Sequence, residues 1–210
     1  MARRNDHSRE QLHQLALSAA LGIIAEQGLA GVSMRKVAAV MGYSAGSLYS
    51  VFANLDDLLL QANRTTLEQL AAHLRQVPPL SQPAAQIQAL AQAYWAFAQQ
   101  HPLLWRAIFE HIPATYTAPD WHQQQISQLF GQVEAPLARL MPAQLPEQVA
   151  YAARALWSGV QGICFLAMTD KLTVVNAPST ESLLAFLVQT FLAGLAQTAP
   201  EIVQNGDCKT

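Results

Sequence analysis

Apolar residues recur at helical spacing along almost the whole chain, and that repeat restricts it to an all-helical fold. Leu12, Leu15, Ala16, Ala19, Ile23 and Ile24 mark one helix from about 8 to 27, which Gly28 ends. Ser33 is a good N-cap for a second, short helix. Its Met34, Val37, Ala38 and Met41 form one apolar face, and Gly42 stops it. A third helix is expected from about 45 to 51, anchored inward by Leu48 and Phe52. Asn54 caps a long fourth helix with Asp56 and Asp57 in its first turn, where the helix dipole favours negative charge. No proline precedes Pro78, and 77–83 reads as a loop. Helices follow at about 84–101, 103–112, 121–140, 147–171 and 180–198, broken at His101-Pro102, Ile112-Pro113 and Met141-Pro142. Pro136 is expected to kink the seventh. Thr173-Val174-Val175 is the one strand-like run, and it is too short to form part of a sheet. The expected architecture is all-α with about nine helices, a three-helix head in residues 1–54 and a helical body in 55–210.

Composition narrows the function classes. Hydrophobic residues make up 51% of the 210 and charged ones only 12%, so the chain is too apolar for disorder. The apolar surplus points to an internal cavity or a buried subunit interface. Pro and Gln interrupt every long uncharged stretch, so no membrane span is expected. The basic start is followed by no apolar run, which argues against a secretory signal. Cys164 and Cys208 lack metal-ligand spacing and read as free thiols of a cytoplasmic protein. Net charge is −2, but residues 1–54 hold five basic against three acidic side chains (+2), and the remainder seven against eleven (−4). A basic head on an acidic body is compatible with local binding of a polyanion.

The head carries the more specific signal. Two short helices joined by a tight glycine turn and packed on a longer first helix make a helix-turn-helix, whose second member lies in the DNA major groove. Ala45, Gly46, Ser47 and Ser50 give that helix an unusually small face. Gly46 costs about 1 kcal/mol of helix propensity relative to alanine, which close approach of another molecule would justify. Tyr49 offers a ring to pack and a hydroxyl that reaches a phosphate.

The run GVSMRKVAAVMGYSAGSLYSVFANLDDLL, residues 31–59, resembles the DNA-binding signature of the TetR family of bacterial transcriptional regulators. Ser33, Gly42, Tyr43, Ser44, Gly46, Ser47, Leu48, Tyr49, Phe52, Leu58 and Leu59 carry the resemblance, which covers about residues 9–60. It implies that Ser33, Arg35 and Lys36 touch the phosphate backbone, that Ser44, Ala45 and Ser47 face base edges, and that Tyr49 and Ser50 contact phosphate and neighbouring bases. One position departs from the pattern: Leu55 stands where the family usually has a phosphate-gripping lysine, and Ala53 replaces a commonly polar residue. Arg3, Arg4 and Arg9 are the candidates to compensate from an N-terminal arm.

For the body the resemblance implies a ligand cavity whose occupation moves the fourth helix and the two heads of a dimer. All four tryptophans lie there, and the expected lining is Trp95, Trp105, Phe109, Trp121, Phe130, Trp157, Gln161 and Phe165, with His101, His111 or Gln125 as further polar partners. The scarcity of charge among them points to an uncharged or hydrophobic effector. Residues 156–172 are similar to a C-terminal subtype that carries Trp and then His-Gly, but Gln161 stands at the histidine position, so that residue's role does not transfer. Stripes at Leu156, Val160 and Ile163 and at Leu184, Leu187 and Phe191 are expected to form a four-helix dimer interface, with Gly159 and Gly162 permitting close approach.

Catalysis is the rival class. His101, Glu110, His111, Asp120 and His122 cluster in sequence but match no ligand or catalytic spacing, and no cofactor motif occurs. The other alternative is a helical DNA-binding factor with no small-molecule effector. The reading adopted is a homodimeric repressor on a palindromic operator, released by a small apolar effector.

Overall fold

The structure, a computed structural model, describes residues 8–111 and 119–197. Among them are ten α-helices, one 3-10 turn and no strand. They are α1 (Arg9–Gln27), α2 (Met34–Met41), α3 (Ala45–Leu48), α4 (Leu55–Arg75), α5 (Pro83–Gln100), α6 (Pro102–Glu110), α7 (Asp120–Leu140), α8 (Pro146–Met168), α9 (Lys171–Val174) and α10 (Thr180–Gln197). The chain divides into two compact units. One comprises the described residues of Met1–Leu70 and Phe97–Gln123, the other those of Ala71–Ala96 and Gln124–Thr210. The boundary falls within α4, α5 and α7.

Local chemistry sets the ends of the head helices. Ser8 and Gln11 cap α1 reciprocally, each side chain bonding the other residue's backbone N–H. Gly28, at φ 70°, turns the chain out of α1. Ser33 Oγ accepts the Lys36 N–H at 3.2 Å. Gly42 sits in the left-handed region at φ 73°, its N–H bonded to Ala39 O while Tyr43 N–H reaches Ala38 O, so α2 closes in a Schellman motif. Helix α3 has four residues rather than the expected seven, and hydrogen-bonded turns to Ser50, Val51 and Phe52 continue it. Asn54 Oδ1 accepts the Asp57 N–H at 2.8 Å, and Asp57 Oδ2 accepts the Ala53 N–H at 2.9 Å, so the two side chains fix the α3–α4 junction.

The core of the first unit gathers Ala16, Ala20 and Ile24 of α1, Val37 and Ala38 of α2, Leu48, Phe52, and Leu58 and Ala62 of α4. Leu104 and Ala107 of α6 belong to the same cluster. Full burial of Leu48 and Phe52 stabilises α3 against the unit by about 1.5–3 kcal/mol each. Asn63 Nδ2 donates to Ala107 O at 3.1 Å, and His111 Nε2 lies 3.2 Å from Asp56 Oδ1, so α4 is bonded to α6 and to the C-cap residue that follows it.

In the second unit α8 packs on α10. Gly159 makes that approach possible, since a Cβ there would stand 2.8 Å from Leu187 Cδ2. Residues 173–175 form no strand, as their length implied. Thr173 and Val174 end α9, and Val174 and Val175 are exposed. Asp170 and Asn176, both at positive φ, bracket this short turn of helix and leave no length for a ladder.

Candidate nucleic-acid interface

Helix α3 has two chemically distinct sides. Leu48 and Phe52 are fully buried, whereas Ser44, Gly46, Tyr49 and Ser50 are exposed and Tyr43, Ala45 and Ser47 are half-buried. Ala45 leans on the head's core, so its methyl is shared between core and surface. The hydroxyls are partly engaged with each other: Ser44 Oγ and Ser47 Oγ lie 3.0 Å apart, and Ser50 Oγ donates to Ser47 O at 2.6 Å. A Cβ on Gly46 would meet only Ser44 Oγ, at 3.7 Å, so nothing inside the chain demands glycine there. On α2, Ser33 and Arg35 are exposed, and Lys36 is held by a hydrogen bond from its Nζ to Gln27 Oε1. Leu55 is half-buried against the head's core, which accounts for an apolar residue at that position. Arg9 is exposed at the start of α1; Arg3 and Arg4 lie outside the described residues.

The second unit has a cleft of about 540 Å³. Trp95, Ala167, Leu172, Ala177 and Pro178 supply its apolar lining, and Thr173, Asn176, Ser179 and Thr180 its polar lining. The Trp95 indole N–H donates to Glu181 Oε1 at 2.9 Å. The Glu181 carboxylate is held below its ordinary range, by a backbone hydrogen bond first and by Trp95 next. Trp95 is the one residue of the sequence-derived lining set that lies on this cleft. Trp105 and Phe109 pair edge-on in the first unit at 5.2 Å, with Trp105 fully buried and Phe109 exposed. Trp121, in the same unit, receives the Arg64 guanidinium over its ring at 5.0 Å. In the second unit Phe130 and Trp157 pair at 5.6 Å, Gln161 accepts the Tyr94 hydroxyl at 2.5 Å, and Phe165 is 46% exposed. The other polar candidates are spread in the same way: His101 packs on the Phe97 ring, His111 pairs with Asp56, and Gln125 is buried on α7.

Two family descriptions match this chain. Residues 16–62 match "Bacterial regulatory proteins, tetR family", and residues 87–191, half of the chain, match "Tetracyclin repressor-like, C-terminal domain". The chain belongs to the TetR family. Solved TetR-like folds align over nearly its whole length. A protein of unknown function from Rhodococcus sp. RHA1 is 22% identical, with 93% of this chain and 100% of that one covered at a TM-score of 0.73. A tetR-family transcriptional regulator from Streptomyces coelicolor is 17% identical, with 93% and 86% covered at 0.68. The regulator FadR from Bacillus subtilis, solved with stearoyl-CoA, is 13% identical, with 87% and 98% covered at 0.67. The comparison with curated proteins gave no match. TetR-family proteins are transcriptional regulators rather than enzymes. Several of the acid and imidazole groups that raised the catalytic alternative have local partners or are buried. Glu110 pairs with Arg106 at 3.0 Å, His111 with Asp56, and burial holds His122 below its ordinary range. No helix of the described residues is long and apolar enough to cross a membrane.

The expected interface stripes of this TetR-family body are only partly accessible on the single chain. Leu156, Val160 and Leu184 are buried within the single chain, and Ile163, Leu187 and Phe191 are half-buried. The three buried side chains have almost no area left to offer a second copy, whereas the three half-buried ones keep part of theirs. The apolar groups on the open sides of α8 and α10 are Tyr151, Phe165, Leu166 and Phe186, exposed by 72%, 46%, 42% and 69%. Gly162, on the same side of α8, has open space at its Cβ position. Sequence reasoning missed this second stripe, although an apolar residue on nearly every face of α8 was its signal.

Proposed function

We propose that the chain is a repressor that binds a palindromic operator as a homodimer and is released by a small, largely apolar effector. The observation that carries this reading is Gly46: a helix-weakening residue on the exposed side of α3 that no internal contact requires. Ser44, Tyr49 and Ser50 surround it with groups that hydrogen-bond to phosphates or base edges. Arg35 and Lys36, in the first turn of α2, supply the backbone contacts.

Tyr151, Phe165, Leu166 and Phe186 provide the dimer face, closing a four-helix bundle from α8 and α10 of two copies. A two-fold dimer then reads half-sites about 34–36 Å apart or a multiple of that. The effector enters the cleft over Trp95, its apolar part against Leu172 and Pro178 and its polar group on Thr173 or Asn176. Its differential affinity for two positions of α4 sets the head spacing, and the same coupling obliges operator DNA to weaken effector binding. Selection of the purified full chain on random duplexes tests the reading. Enrichment of a palindrome is expected, followed by release on titration with a panel of small apolar compounds. Recovery of no preferred duplex would sink it.

A further inference from the structure

Residues 37–53 contain no Arg, Lys, His, Asn, Gln, Asp or Glu. The stretch covers the end of α2, the turn, α3 and the turns after it. Every side chain that makes a two-point hydrogen-bonded match to a base edge is of one of those types, bidentate Arg or Lys to guanine and Asn or Gln to adenine being the commonest. What the stretch does present is serine hydroxyls and apolar surface. Hydroxyls bond to either kind of base, so they position without discriminating. Those of Ser44 and Ser47 bond each other, and the hydroxyl proton of Ser50 is used on Ser47 O. Between Ser33 and Asn54 two large apolar side chains face solvent, Val40 (62% exposed) and Tyr49 (58% exposed). Tyr49 directly follows α3 and shares the open side of the helix with Gly46. The base feature that apolar surface reads is the C5-methyl group of thymine.

We infer that this head recognises its operator through thymine methyl groups packed on the Tyr49 ring, without bidentate hydrogen bonding to purines. The inference rests on the DNA-binding reading above and adds the chemistry of readout to it. Burying one methyl-sized group corresponds to about fourfold in affinity, so a symmetric pair of thymines in a palindrome corresponds to about fifteenfold.

The test uses the full chain and the duplex recovered from random selection. Each symmetric thymine pair is replaced by deoxyuridine, and separately each purine by its 7-deaza analogue, which lacks the N7 acceptor. At least one deoxyuridine pair should weaken binding about fifteenfold, and no 7-deaza substitution more than about twofold. In Tyr49→Ala the sensitive deoxyuridine pair should cost nothing further, while Tyr49→Phe should keep the full methyl effect. Tyr49 is exposed, so both variants should retain the wild-type helical circular dichroism. Three outcomes overturn the inference: indifference to every deoxyuridine pair, a tenfold loss on any 7-deaza substitution, or an undiminished methyl effect in Tyr49→Ala. Failure to recover any preferred duplex instead removes the DNA-binding reading beneath it.

Discussion

Replacing Gly46 by alanine should move stability and DNA binding in opposite directions. The added Cβ meets only Ser44 Oγ, at 3.7 Å, an ordinary van der Waals separation, and Gly46 does not occupy the positive-φ region. Alanine is therefore free of strain and gains up to about 1 kcal/mol of helix propensity, partly through a less flexible unfolded chain. Because α3 is only four residues long, about 0.5–1 kcal/mol is the realistic range. For a chain of this size that raises Tm by about 1–4 °C. On the duplex side, the methyl occupies the surface that approaches the groove, and each of two heads is affected. A loss of at least tenfold in operator affinity, about 1.4 kcal/mol, is expected. Scanning calorimetry and fluorescence anisotropy on one preparation of Gly46→Ala measure both. A variant that is more stable and binds as tightly as the parent would refute the close-approach argument. A destabilised variant would show that the chain itself needs the glycine.

Three further outcomes follow from the same structure. Phe186→Asp places a charge on an exposed apolar face and should convert the proposed dimer to monomer in light scattering, with the thermal midpoint of the single chain little changed, because Phe186 is 69% exposed within it. Burial pushes the Cys164 thiol up to about 12 from 9.0, so in a Cys208→Ser background the native protein should resist thiol reagents at pH 8 and react only on unfolding. The folded pKa is the higher one, so the stability linked to this group is intact below pH 9 and declines between 9 and 12, which denaturant titration reads. Glu181 is shifted the other way, its folded pKa depressed by a backbone hydrogen bond and by Trp95. Its contribution is present above the ordinary glutamate range and is lost as pH falls below it. The indole N–H resonance of Trp95, identified by its absence in Trp95→Phe, should report this titration, with its midpoint below the ordinary glutamate range.

The head was legible because its boundaries are written in residues with local physics. Ser33 and Gly42 define α2 by a side-chain cap and a left-handed backbone, and both act within four residues of themselves. The buried sides of α1 and α2 follow from spacing alone. The cleft was not legible in this way. Aromatic residues are apolar wherever they sit, and only tertiary packing decides that Trp105 is fully buried while Phe165 faces outward and Trp95 lines a cavity. Which apolar stripe of α8 stays open was not legible for a related reason. Helix α8 carries apolar groups on opposite sides, and nothing in the period tells which side α10 of the same chain covers. At Thr173-Val174-Val175 the β-branched content is strand-like, but three residues are too few for a ladder, and the length decided correctly.

Leu104 and Ala107, more than forty residues beyond the last residue of the helix-turn-helix, complete the hydrophobic cluster beneath it. A reader of operators built this way is not a detachable cassette. Anyone transplanting it onto a foreign sensor must carry α6 as well, or redesign the patch on α1 and α4 that α6 leaves bare, since a fragment ending near residue 60 would expose that patch and lose the Asn63 bond to Ala107.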